Sequence, residues 1–165
     1  MNVFISGSRD IKTFDERVLD VLYDELNASA NILVGDADGV DAELQKFCRK
    51  HDYKNVTVYA ANGKARNNSG FPVKNILTDK NMFYKNFFIQ KDIAMTDSAD
   101  FGIVIWDGKS KGSLNNINRL VQQNKPCHVY LADQSRWVWV HSERDFATLK
   151  NPEVAYSGTT QMSFI

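Results

Sequence analysis

Cysteine and proline are scarce in this 165-residue chain, at two and three residues. No apolar run approaches the roughly 20 residues that span a bilayer. Cys48 and Cys127 stand far apart, with neither a C-x-x-C pair nor a histidine cluster beside them. That excludes a disulfide framework or a zinc-finger pattern and points to reduced thiols. The three histidines, His51, His128 and His141, lack metal-ligand spacing, so no metal is expected. There is no Gly-x-Ser-x-Gly nucleophile elbow, and neither cysteine has the setting of a nucleophile. An excess of charge of either sign is also missing, since 20 Lys and Arg balance 20 Asp and Glu. A general field attracting DNA or lipid is thereby excluded, and any anion must be held locally. The opening Met1-Asn2-Val3-Phe4-Ile5-Ser6-Gly7 runs from a short apolar stretch into a turn and is unlike a signal segment. The expectation is a soluble, cytoplasmic protein without membrane or nucleic-acid partners.

What the chain does have is 43% hydrophobic residues, enough for one core at this length. Short β-branched or apolar runs at Val3–Ser6, Asn31–Val34, Val56–Tyr59, Phe101–Trp106 and Cys127–Leu131 read as strands. Between them lie segments with helical spacing. Thr13-Phe14-Asp15-Glu16 resembles a capping box before Val18, Leu19, Leu22 and Leu26. Val40, Leu44, Phe47 and Cys48 share a helix face, Thr78-Asp79 precedes a helix reaching about Ser98, and Ser113–Asn124 forms another. Residues 61–77, with Asn62-Gly63, Asn67-Asn68-Ser69-Gly70 and Pro72, read as a long loop.

Alternation of this kind predicts an α/β, Rossmann-like three-layer sandwich around a mainly parallel sheet of about five strands. Residues 1–132 form that domain. Residues 133–165 are a C-terminal extension packed on it or trailing from it, with Arg136–His141 alternating like a strand. Ligands in such sheets sit at the carboxyl ends of the strands, where strand order reverses.

Three loops at strand ends carry candidate chemistry. Ser6-Gly7-Ser8-Arg9-Asp10 offers close backbone approach, a hydroxyl and a planar guanidinium for phosphate, or is a turn with a surface arginine. In Gly35-Asp36-Ala37-Asp38-Gly39-Val40-Asp41, an aspartate either receives ribose or base hydrogen bonds, or Asp38 or Asp41 caps the following helix. Asp107-Gly108-Lys109-Ser110-Lys111-Gly112-Ser113 is a phosphate cradle before a helix, or a solvated lysine turn; it lacks the Walker spacing. From Asn62 to Lys91 six cations face Asp79 alone, so this stretch steers an anion, forms a lid, or balances the acids of the second loop. The helix bearing Met82, Phe83, Tyr84, Phe87, Phe88, Ile89, Ile93 and Met95 is apolar around most of its circumference. Its surplus face predicts a homodimer contact in preference to a nucleobase stack.

In order, Ile5-Ser6-Gly7-Ser8-Arg9, Gly35 through Asp41, Lys91-x-x-x-Met95 with Ala99-Asp100, and Gly112-Ser113 before a helix resemble the SLOG superfamily. The similarity is greatest to its small stand-alone YspA/YpsA-related branch and covers about residues 2–132. Relatives in that superfamily include the Lonely Guy phosphoribohydrolases, molybdenum cofactor carrier-like proteins and DprA. The resemblance implies binding of a nucleotide or nucleotide-derived molecule in sensing, sequestration or signalling, with no resident cofactor. Gly7, Ser8, Arg9, Gly35, Asp36, Gly39, Asp41, Lys91, Asp107, Lys109, Lys111, Gly112, Ser113 and Asn116 would line the site. Lys91 falls where that branch commonly carries arginine, keeping charge but losing the bidentate fork. Asn116 falls where the Lonely Guy enzymes carry a glutamate, and asparagine supplies no carboxylate base. An N-glycosidic hydrolase of a nucleoside monophosphate or related phosphoribosyl compound is the alternative, with Asp41 or Asp107 supplying the acid. A DNA-processing accessory similar to DprA is disfavoured by the neutral charge and the lack of a basic stripe.

Overall fold

The computed structural model describes residues 1–78 and 84–150, and the side chains of all of these except 84–87. Along the described chain run β1 (Asn2–Gly7), α1 (Glu16–Asn27), β2 (Asn31–Val34), α2 (Val40–Lys50), β3 (Val56–Ala61), β4 (Val73–Ile76) and α3 (Tyr84–Ser98). Then follow β5 (Phe101–Trp106), α4 (Lys111–Gln122), β6 (Cys127–Leu131), β7 (Arg136–Val140) and α5 (Glu143–Lys150). The strands form one sheet in the order β4-β3-β2-β1-β5-β6-β7. Neighbours pair in parallel throughout, except that β7 runs antiparallel to β6. The molecule is thus an α/β, Rossmann-like three-layer sandwich.

Alternation along the strands builds two cores. Val3, Ile5, Ile32, Val34, Ile103 and Ile105 meet Val18 and Leu22 of α1 and Leu44, Phe47 and Cys48 of α2 on one face. Phe4, Leu33, Val104, Trp106 and Val129 meet Met95 of α3 and Ile117 and Leu120 of α4 on the other, with Phe146 and Leu149 of α5 at the margin. Burial on both faces explains why the central strands read as continuous apolar runs. Among the described residues no helix is long and apolar enough to cross a membrane.

The sheet has seven strands where about five were expected. Val73–Ile76, inside the stretch read as a loop, pairs in parallel with β3 as an edge strand. Its side chains are mostly exposed, so main-chain hydrogen bonding holds it and no apolar period announces it. The seventh strand extends the sheet antiparallel to β6, and with α5 it makes residues 136–150 part of the same layered body. Helix α1 begins at Glu16 with Asp15 as its cap, accepting from Val18 N, so Thr13 is not the capping residue. Tyr130 of β6 also hydrogen-bonds Asp15, an advantage Thr13 lacks. Helix α4 starts at Lys111, ahead of the expected Ser113, because Ser110 takes the cap position. Thr78 N donates to Asn62 Oδ1, while Asp79 lies outside the described residues, as do Met82 and Phe83.

Ile103 is fully buried at the centre of β5. Ile103→Ala should lower unfolding free energy by about 2–5 kcal/mol, the usual cost of such a cavity. Denaturant unfolding with an unchanged slope would record it.

Candidate functional site

Strand order reverses between β1 and β5, which are adjacent although β1 leads by way of α1 to β2 on its other side. The loops leaving the two strands must diverge there and leave a crevice at their carboxyl ends. A cleft of about 290 Å³ occupies this point, lined among others by Gly7, Arg9, Asp41, Arg66, Lys91 and Ser113.

Two glycines allow its walls to close. Gly39, at φ +81°, precedes α2, and a Cβ on it would come within 2.4 Å of the Arg9 carbonyl oxygen. At the end of β2 a Cβ on Gly35 would lie 2.5 Å from Asp41 Oδ2 and 2.9 Å from Lys91 Nζ. Any larger residue would displace the charged groups of the cleft.

Asp36 is nearly fully buried and is the anchor of the cations. Its Oδ1 receives Arg66 Nη2 at 2.7 Å, Arg66 Nε at 3.1 Å and Lys91 Nζ at 3.3 Å, while Oδ2 receives Arg66 N at 2.9 Å. Burial alone would raise the pKa of Asp36. The Arg66 hydrogen bonds and the charge of Lys91 outweigh it, so the carboxyl is held below its ordinary value. Lys91 also lies 3.7 Å from Asp92 Oδ1, and Arg119 donates to Asn116 Oδ1 at 2.7 Å. The β3–β4 loop that carries Arg66 is fastened by Asn67, which donates to the Asp36 carbonyl and to Asp38, and by Gln45, which bonds Gly35, Asn67 and Ser69.

Asp41 is held differently. Its Oδ2 accepts from Ala37 N at 3.1 Å, while Oδ1 is buried and has no hydrogen-bond partner. Burial pushes its pKa up to about 6, against a partial offset from Lys91. Asp92 is likewise raised by burial, with Lys91, Arg119 and the Asn116 side chain opposing. The cleft therefore contains two carboxyls biased toward the protonated form. On the opposite wall Ser110 caps α4 and Trp106 Nε1 fixes the Ser110 carbonyl at 3.0 Å. Ser113, in the first turn, is buried and its Oγ has no partner.

Of the residues singled out in the sequence, Gly7, Arg9, Asp41, Lys91, Gly112, Ser113 and Asn116 line this one cleft, with Gly35, Asp36 and Gly39 shaping its walls. Ser8 is buried, and its Oγ accepts from Asp107 N, tying the β1 loop to the β5 loop. Asp107 points into its own loop, where Oδ1 accepts from Lys109 N and Ser110 N; burial would raise its pKa, but these bonds hold it low. Lys109 and Lys111 are exposed outside the lining. Neither Asp38 nor Asp41 caps α2, since Gly39 occupies that position without a side-chain bond. Arg66 and Asp92 were not among the predicted site residues. The run of cations from Asn62 to Lys91 flagged the segment of Arg66, whereas Asp92 gave no signal beyond following Lys91. No protein-family model matches the chain, and no curated protein is a significant match to it.

Because the folded state prefers Asp41 protonated, its ionisation penalises folding as pH rises from about 4 to about 6 and leaves a constant cost above. Asp41→Asn should therefore stabilise the protein by up to roughly 3 kcal/mol at pH 7.5, from about two pKa units at 1.36 kcal/mol each. The gain should vanish near pH 4. Parallel urea titrations of the two proteins across that range would measure the difference.

Proposed function

We propose that the switch-point cleft binds a nucleotide or nucleotide-derived small molecule carrying a phosphate, in a sensing, sequestration or signalling role. The observation that carries this reading is the pairing of the first turn of α4 with the buried, unpartnered Ser113 hydroxyl, facing the same cleft as Arg9. First-turn amides and the helix dipole favour an anion, and a hydroxyl without an internal partner supplies a further donor. Arg9 is exposed and has no ion-pair partner among the described residues, so its fork remains available to phosphate. Arg66 and Lys91 are already committed to Asp36. At about 290 Å³ the cleft lies at the small end of ligand pockets, which suits a mononucleotide better than a dinucleotide. Resemblance to the SLOG superfamily supports the same ligand class on the motifs quoted above.

A second reading, hydrolysis of the N-glycosidic bond of such a ligand, is favoured by Asp41 and Asp92. Asn116 supplies no carboxylate, yet Asp92 of the neighbouring helix stands in the same lining and Asp41 on the wall opposite α4. Protonated Asp41 would deliver a proton to the departing base nitrogen as the C1′–N bond breaks. Asp92, which burial biases toward protonation and Lys91 and Arg119 draw back toward the carboxylate, would in its ionised form take a proton from the water that adds to C1′. Base and ribose 5-phosphate are the balanced products.

Thermal unfolding against nucleoside monophosphates, nucleosides and ribose 5-phosphate tests the binding reading. A bound phosphorylated ligand at about 100 times its Kd should add about 2.7 kcal/mol and raise Tm by several degrees, with nucleosides inert. Arg9→Ala combined with Ser113→Ala should weaken binding at least tenfold without lowering helical content. Equal affinity in the double variant would remove the phosphate assignment. Chromatography of the same mixtures should reveal free base if the second reading holds, with loss on Asp92→Asn; an absence of product at high protein concentration would leave binding alone.

A further inference from the structure

Arg66 is held in a way that leaves it one thing to offer a ligand. Its guanidinium makes two bonds to Asp36 Oδ1 at 2.7 and 3.1 Å, and its own main-chain N–H closes on Oδ2 of the same carboxylate. Its charge is therefore matched by a nearly fully buried partner, and its plane is fixed by bonds at both ends. The guanidinium carbon sits 3.9 Å from the centroid of the Phe88 ring, stacking distance for cation and arene. Even so, the side chain keeps 26% of its surface exposed, and both Arg66 and Phe88 line the cleft. A mobile lysine-like charge would steer anions, whereas a neutralised, oriented plane is a surface on which flat rings stack.

We infer that the Arg66–Phe88 pair is a stacking platform that selects ligands bearing a planar aromatic base, while Arg9 and the first turn of α4 hold the phosphate. This rests on the binding reading above and assigns to the β3–β4 loop the choice between a nucleotide and a bare sugar phosphate. The positions agree with such a division. Arg66 and Phe88 come from the β3–β4 loop and the α3 wall, and Ser110, Gly112 and Ser113 from the α4 wall, so the two ends of one mononucleotide would be gripped by different elements. Asp41, whose Oδ1 has no partner, belongs to α2 in the same lining and would meet a hydroxyl of the sugar between them.

Arg66→Lys separates plane from charge, because lysine can still pair with Asp36 but has no face to stack. Calorimetry would compare ribose 5-phosphate with purine and pyrimidine nucleoside monophosphates on the wild-type and variant proteins. The wild type should bind the nucleotides at least tenfold more tightly than ribose 5-phosphate, the scale of one base stacked on a side-chain plane. In Arg66→Lys that preference should shrink to about twofold or less, with ribose 5-phosphate affinity unchanged. Phe88→Leu, which leaves the Asp36 pair intact, should reduce the preference in the same direction and guards against a folding defect in the first variant. A wild type that binds ribose 5-phosphate and nucleotides equally, or an Arg66→Lys protein that keeps the full preference, would overturn the platform while leaving phosphate binding in place. If neither ribose 5-phosphate nor any nucleotide binds the wild type, the binding reading itself fails and the platform falls with it.

Discussion

The carboxylate of Asp36 is the constraint on which the cleft depends. It sits two residues beyond β2, nearly fully buried, and two segments distant in sequence converge on it: the β3–β4 loop through Arg66, and α3 through Lys91. A buried ion of this kind is expensive to desolvate and gains little net stability over an apolar replacement. What it does provide is position. Its four short contacts set the plane of Arg66 and the height of Lys91, and those in turn define where the cleft has cation and where it does not. The cleft's positive charge is largely spent internally, so an incoming anion meets Arg9 and the α4 turn first.

Topology explains why these groups meet at all. A parallel sheet requires every crossover to return to the same edge, which puts the loops after β1, β2 and β5 on one side of the molecule. The reversal of order between β1 and β5 then separates the α2 and α4 entrances by a crevice. Ser8 and Asp107, outside the lining, join the loops after β1 and β5 by a hydrogen bond between hydroxyl and main-chain N–H. Their role in the described structure is to lock the two diverging loops together so that Gly7 and Ser110 keep their spacing across the cleft.

Much of this was legible in the sequence, for identifiable reasons. Central strands buried on both faces announce themselves as β-branched runs; Gly7 and Gly35 mark the ends of β1 and β2, and Gly39 the entrance of α2. β4 was hidden because an edge strand with exposed side chains has hydrogen-bond partners but no hydrophobic period. The start of α1 was misplaced because Thr13 and Asp15 are both acceptable caps locally, and only the distant Tyr130 decides between them. Among the site residues, those at strand ends were found by position. Arg66 and Asp92 were not, since their importance lies in partners 30 residues away and on another helix, and no local spacing encodes either contact.

Departures from the rules of stable packing gather in this cleft. Buried polar atoms are almost always hydrogen-bonded, yet Asp41 Oδ1 and Ser113 Oγ are not. The only other such side-chain atom among the described residues, Gln123 Oε1, lies at the far end of α4. Asp41 carries the larger burden, because it combines an unmatched oxygen with a pKa pushed up to about 6 by burial. Asp36 shows that the same environment can stabilise a carboxylate fully when cations are directed at it. Lys91 is within reach of both acids but bonds to Asp36, leaving Asp41 deficient. A fold selected for stability alone would have satisfied or removed that group; an unsatisfied donor and an unsatisfied acceptor on facing walls fit a cavity whose polar balance is completed by what enters it.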